Sequence, residues 1–220
     1  MRKSVVTKAL VAAVSNGIAH SQSLAAAGPL VLVSNPVVLD SQRRVILTSA
    51  ADDSALTWTV IGTDDNGNLI KDSFLGANTP TVVQSNIDFK TVISISSDRA
   101  TAGAVIAGTN GVGSSPWQLF SDTIATPNLS INYQLISGSQ NATVEYTYDG
   151  ILPDPTTPKS AIALGPNSPN PQVIPHPVLQ AMAASKDGII NWAITGWRLT
   201  INSGTGVGQM TSRQAGLASP

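Results

Sequence analysis

Residues 43–79 constrain the fold more than any other part of the chain. They alternate apolar and polar side chains with a period of two and break at turn-forming residues. Val45 and Leu47 alternate with Ile46 and Thr48; Leu56, Trp58 and Val60 alternate with Thr57, Thr59 and Ile61. Such a period sends successive side chains to opposite faces of a sheet. Valine, isoleucine, threonine and tryptophan fit a pleated, half-buried surface. The run Asp64-Asp65-Asn66-Gly67-Asn68 then supplies a hairpin turn, because Asn-Gly takes positive φ at low cost. Further strands are predicted at 29–33, 81–84, 91–96 and 104–107, besides 43–48, 55–62 and 69–75. Strands this short and regular, with no helix-period stretch between them, predict a β-sandwich or barrel and argue against a βαβ plan. Phe74 and Phe89 are expected to fill its core.

The pattern restarts after the glycine-rich seam 109–115. Leu129, Ile131, Tyr133 and Leu135 share one face of a predicted strand, as do Val144, Tyr146 and Tyr148 of the next. Residues 192–201 are the strongest strand signal of this half, with Trp197, Leu199 and Ile201 on one face and Arg198 and Thr200 on the other. Ser203-Gly204-Thr205-Gly206 turns the chain into a closing strand over 207–213. A proline-rich stretch over 153–177 excludes helix and central strand, since proline removes the backbone donor and fixes φ. A loop of that length is expected to be a functional arm ordered by contact. Residues 178–184 are predicted to form a short helix. The expected organisation is all-β: an extended N-terminal arm (1–28), a first β-sandwich or barrel-like domain (29–115), and a second (116–220) carrying the proline-rich loop.

The start of the chain has the form of a secretory signal, with Met1-Arg2-Lys3, an apolar run over 9–14, and small residues at 24–27. The run is shorter than the roughly 20 residues a bilayer span needs. The preferred expectation is a retained arm, helical over 4–14, docked on a neighbouring molecule.

Charged residues make up 11% of the chain, far below the usual quarter, and the net charge is −1. No broad basic footprint for nucleic acid is present. A surface wetted by serine, threonine, asparagine and glutamine suits a subunit covered by neighbours. The absence of cysteine excludes disulfides, thiolate metal sites and cysteine nucleophiles. Only His20 and His176 are available for imidazole chemistry, which argues against a histidine-dependent hydrolase or a multi-histidine zinc site.

Several motifs invite sharper readings. Asp64, Asp65, Asn66 and Asn68 around Gly67 have the composition of a calcium loop, but lack flanking helices and the closing bidentate glutamate; a hairpin turn is the expectation, and a turn likewise at Asp52-Asp53. The glycine-rich runs 108–113 and 204–208 lack the lysine and following helix of a phosphate cradle, and read as connectors. Asn128 and Asn141 head glycosylation sequons of a kind that arises by chance. Trp58 and Trp197 are expected in the core, whereas Trp117 and Trp192 are candidates to face a partner. The carboxylates Asp122, Glu145, Asp149 and Asp154 show no spacing that singles out a glycosidase pair. No catalytic, cofactor-binding or metal-binding residue is therefore assigned, and the chain is expected not to be an enzyme.

Several phrases resemble small β-rich virion proteins of tailed, especially short-tailed, bacteriophages. They are Ala27-Gly28-Pro29-Leu30-Val31-Leu32, Arg43-Arg44-Val45-Ile46-Leu47-Thr48-Ser49-Ala50, the hairpin over 62–76, Asp88-Phe89-Lys90-Thr91-Val92-Ile93-Ser94-Ile95, Ala100-Thr101-Ala102-Gly103-Ala104-Val105, and the closing run 197–206. The likeness is best over the first half and carries fold signatures without active-site motifs. It implies a virion structural subunit assembled by protein–protein contacts, with copies of itself and other virion proteins (portal, adaptor, tail or capsid) as partners; from the charge balance and the short apolar run, neither nucleic acid nor membrane is expected among them. A neck or tail component is the leaning, capsid decoration the alternative. The signal-like start and the tryptophans support a different class, a secreted adhesin or carbohydrate-binding module. A particle-bound hydrolase, with Asp149 and Asp154 as its candidates, is the third reading.

Overall fold

The computed structural model describes residues 2–65, 67–79, 81–119, 128–148 and 173–214. Every regular element among them is a β-strand, so the chain is all-β. It divides into two compact units. One is Ala13–Val112; the other joins the residues up to Ala12 with the described residues from Gly113 onward.

That division corrects the expectation for the leading segment. Residues 4–14 do not form a helix on a neighbour: β1 (Arg2–Ala9) is a strand whose partner lies near the other end of the same chain. Alternation decides it. Lys3, Val5, Thr7 and Ala9 are exposed, while Ser4, Val6 and Lys8 are half-buried and Leu10 is buried. Val6 and Leu10 pack against an apolar core that a free arm would leave open to water.

In the middle unit, β2 (Ala19–Gln22), β3 (Gly28–Pro29), β4 (Val37–Arg43), β5 (Val45–Ser49), β6 (Thr57–Thr63), β7 (Leu69–Leu75), β8 (Val82–Gln84), β9 (Phe89–Ser97) and β10 (Val105–Thr109) make two sheets. Their orders are β2-β10-β5-β8 and β4-β9-β6-β7, with β3 also paired to β9. Trp58, Val60, Phe89, Ile95, Val45 and Leu47 fill the space between them, and Phe74 packs partly against this core. Burying each such side chain contributes about 1.5–3 kcal/mol.

The stretch predicted as one strand over 43–48 is interrupted at Arg44, where the chain leaves β4 in one sheet and enters β5 in the other. Two arginines pin this corner. The Arg43 guanidinium, 1% exposed, donates to both Asp40 carboxylate oxygens at 2.6 and 2.7 Å and to the Asn110 carbonyl at 2.8 Å. Arg44 donates to Asp88 at 2.7 Å and to the Ser85 carbonyl at 2.8 Å.

The second unit contains β1 and β11 (Gly113–Ser114), β12 (Gln118–Leu119), β13 (Leu129–Ser137), β14 (Asn141–Thr147), β15 (Ile174–Pro175), β16 (Lys186–Ile190), β17 (Gly196–Ser203) and β18 (Val207–Gln214). One sheet has the order β1-β18-β13-β16; in the other β14 lies between β15 and β17, and β11 and β12 pair with β17. The predicted faces hold in most positions: Leu129, Ile131, Tyr133, Val144, Tyr146, Trp197, Leu199 and Ile201 lie in this core with Met210, and Leu135 packs partly against it, but Tyr148 falls beyond the end of β14 and is 51% exposed. Glycine is required at the β17–β18 turn, where Gly204 has φ +92°.

No helix forms over 178–184. Leu179 and Met182 are buried there and Ala142 bridges to Met182, so the segment follows the sheet in an extended, bent path. His176 anchors its start. The ring Nδ1 accepts from the Val178 and Leu179 amides at 3.1 and 3.0 Å, which makes Nε2 the protonated nitrogen and its donation to the Ile189 carbonyl 3.1 Å long. Of the proline-rich stretch 153–177, residues 153–172 lie outside the described residues.

Candidate interaction surface

The middle unit presents an apolar ribbon over residues 29–33, separated by the exposed polar Ser34 and Asn35 from a further outward valine, Val38. Pro29, Val31, Val33 and Val38 point outward, while Leu30 is buried and Leu32 packs against the core. This is the alternation that predicts a strand over 29–33, yet only β3 at its start is paired as one. Beyond it the Leu30 amide donates to the Ile95 carbonyl at 2.8 Å. At Val31 a side chain replaces the partner strand. The Gln22 amide accepts from Val31 N–H at 2.8 Å and donates to the Val31 carbonyl at 2.9 Å. The Val33 amide then donates to the Ile18 carbonyl at 2.9 Å.

Residues 30–33 are thus held in place while Val31 and Val33 face water, and after a bend over 33–36 Val38 faces outward from β4; Val31 is 76% exposed and Val38 66%. A segment fixed in this way loses little further entropy when something covers it. Leu69, Leu75 and Val82 add exposed apolar area on β7 and β8 of the same unit, and β7 is the last strand of its sheet. An unpaired strand edge offers backbone donors and acceptors to another chain.

The residues singled out from the sequence fall elsewhere. Asp64 is buried in the β6–β7 loop, where its carboxylate accepts from the Asn68 amide and the Asn68 side chain, each at 2.9 Å; Gly67 has φ +80°. Asp65 faces Lys90 at 4.0 Å. Asp52 accepts from the Ser54 amide at 3.0 Å, and its hydrogen bonds to Ser54 hold its carboxyl below the ordinary aspartate value. Asp53 is buried and accepts from the Ala102 amide at 2.7 Å and from the Ser49 hydroxyl. These carboxylates close turns and loops. Among the described residues no three His, Asp or Glu side chains gather as a metal site would require.

The run 108–113 is not a connector throughout. Gly108 and Thr109 belong to β10, and a Cβ at Gly108 would lie 2.1 Å from the Val14 carbonyl oxygen, so close backbone approach requires glycine there. Asn141 is half-buried and accepts from the Asn202 side chain at 2.8 Å, whereas Asn128 is exposed. Glu145 accepts from Arg198 and from the Thr200 hydroxyl, both at 2.7 Å. Asp122, Asp149 and Asp154 lie outside the described residues.

Trp58 and Trp197 are buried as expected. Trp117 lies under the Arg198 guanidinium, 4.8 Å from ring centroid to Cζ, in cation–π contact. Trp192 stacks on His176 and meets Tyr146 edge-on, and Tyr146 meets the half-exposed Tyr148 in the same way. Burial raises the Tyr146 phenol above its ordinary value, with Tyr148 adding to the shift; burial alone raises Tyr133.

The fold defines a class: an all-β protein of two antiparallel, sandwich-like units. No family model, no curated protein and no solved structure matches the chain.

Proposed function

We propose that this chain is a structural subunit of a bacteriophage virion, assembled through protein–protein contacts and placed at the neck or tail. The observation that carries the assembly part is the ribbon at Val31: apolar side chains held outward on a backbone fixed by the Gln22 side chain. Exposed apolar side chains on a backbone already fixed are the kind of surface that becomes covered. The low charge supports the same reading, since a surface poor in lysine and glutamate desolvates at small cost. The phage context rests on the sequence resemblance, and capsid decoration is the alternative position. The partners are copies of the chain and neighbouring virion proteins, as symmetric assemblies make the default.

The test is incorporation. Val31→Asp puts a charge on the ribbon without touching a core residue. In particles grown with this variant, occupancy of the subunit is expected to fall at least tenfold while the isolated protein stays folded. Normal occupancy removes the ribbon as an assembly surface. Absence of the wild-type chain from purified particles removes the virion assignment itself.

A further inference from the structure

On the second unit, the β1-β18-β13-β16 sheet turns outward a mixed face, polar at its centre and flanked by the exposed Val5 and Ile189, and cross-strand register places its side chains in rows. Lys3 lies directly opposite Arg213, and Arg213 opposite Ser130. In the next row Thr211 lies opposite Asn132, and Asn132 opposite Asp187. All six line one shallow concavity of about 480 Å³.

Two features of this face suit an anionic, hydroxyl-bearing ligand. The first is the cation pair. Side chains directly opposed on antiparallel strands stand about 5 Å apart at Cβ, and like charges so placed repel. Both Lys3 and Arg213 are exposed, and neither has an acidic partner among the described residues. The second is the hydrogen-bonding inventory beside them. The Ser130 and Thr211 hydroxyls have no partner among the described residues. Asp187 spends one carboxylate oxygen on the Asn132 side-chain amide, at 2.6 Å, and keeps the other as an acceptor. The concavity is therefore cationic at one end and accepting at the other. From β18 to β16 is two strand spacings, roughly 10 Å, the reach of a disaccharide.

We propose that this face binds an acidic saccharide, its carboxylate or sulfate on Lys3 and Arg213 and its hydroxyls on Ser130, Thr211 and Asp187. A nucleic acid fits less well, because the outward residues of these strands include no aromatic ring for base stacking. This binding is separate from the assembly role and stands or falls independently of it.

The experiment is calorimetric titration of the full chain with three probes of equal length: trigalacturonate, a sulfated heparin-derived trisaccharide, and neutral maltotriose, with inorganic sulfate as a fourth. At least one acidic trisaccharide is expected to bind tenfold or more tighter than maltotriose. Arg213→Gln and Lys3→Gln, both on the exposed face, are each expected to remove most of that margin, and added salt to reduce it. The proposal is overturned if neither acidic sugar binds tighter than maltotriose, if the margin survives both substitutions, or if inorganic sulfate binds as tightly as the acidic trisaccharides.

Discussion

Replacing Leu10 by alanine separates a strand built into the fold from an arm waiting for a partner. Leu10 follows β1 and is 5% exposed in the core shared with Tyr133, Val144 and Met210. Leucine-to-alanine changes at such sites cost about 2–5 kcal/mol. Leu10 lies just beyond the end of an edge strand, where the chain can relax, so the lower half of that range applies, about 3 kcal/mol. For a chain of this size that is a fall in Tm of roughly 6–12 °C. Val5 is the matched control. It is 46% exposed on the opposite face of β1, and its truncation to alanine is expected to cost below about 1 kcal/mol. Thermal and urea unfolding of the isolated chain, followed by far-ultraviolet circular dichroism, reads both. A Leu10→Ala variant that melts within a degree of the parent contradicts the intramolecular pairing of β1 with β18. So do equal losses at Leu10 and Val5.

Three further outcomes follow from buried groups. Arg43→Met keeps the apolar stem but removes the Arg43 donors from Asp40 and the Asn110 carbonyl; a loss of about 3 kcal/mol in urea unfolding is expected. Arg43→Lys should recover little of it, since an ammonium cannot make the two-pronged contact; full recovery would show that charge alone matters there. Gly108→Val should prevent β10 from forming beneath Val14 and Ser15, giving insoluble or unfolded protein on expression, and a soluble variant with parental Tm would contradict that packing. The raised phenols of Tyr133 and Tyr146 set an alkaline limit. Each holds its proton more tightly in the folded chain, so its contribution is fully present below the unfolded value near pH 10 and is lost as pH rises through the folded value. The urea midpoint should decline above pH 10, and less so in Tyr133→Phe; identical profiles would exclude Tyr133 as a contributor.

How much was legible in the sequence depended on where each strand finds its partner. β6 and β7 pair across a short turn, and their alternation and Asn-Gly signal describe them almost completely. β1 pairs with β18 some two hundred residues away, so local letters gave no hint of the partner, and its Val-Lys-Ala composition fits a helix or a signal equally well. β4 escaped because Ser41, Gln42 and Arg43 are buried polar residues, which break the apolar alternation that marks a half-buried strand. The Val31 ribbon was half legible: its alternation reads as a strand, but nothing announces that a glutamine side chain will stand in for the neighbouring backbone. The cation pair of the outer sheet face was invisible, since Lys3 and Arg213 meet only through register.

Sedimentation velocity of the purified chain and of its Val31→Asp and Val38→Asp variants tests most directly whether the exposed apolar ribbon serves assembly. Self-association that rises through the micromolar range and is abolished by either substitution is the predicted result. A wild-type chain that stays monomeric across that range, or an oligomer indifferent to both charges, would contradict the account.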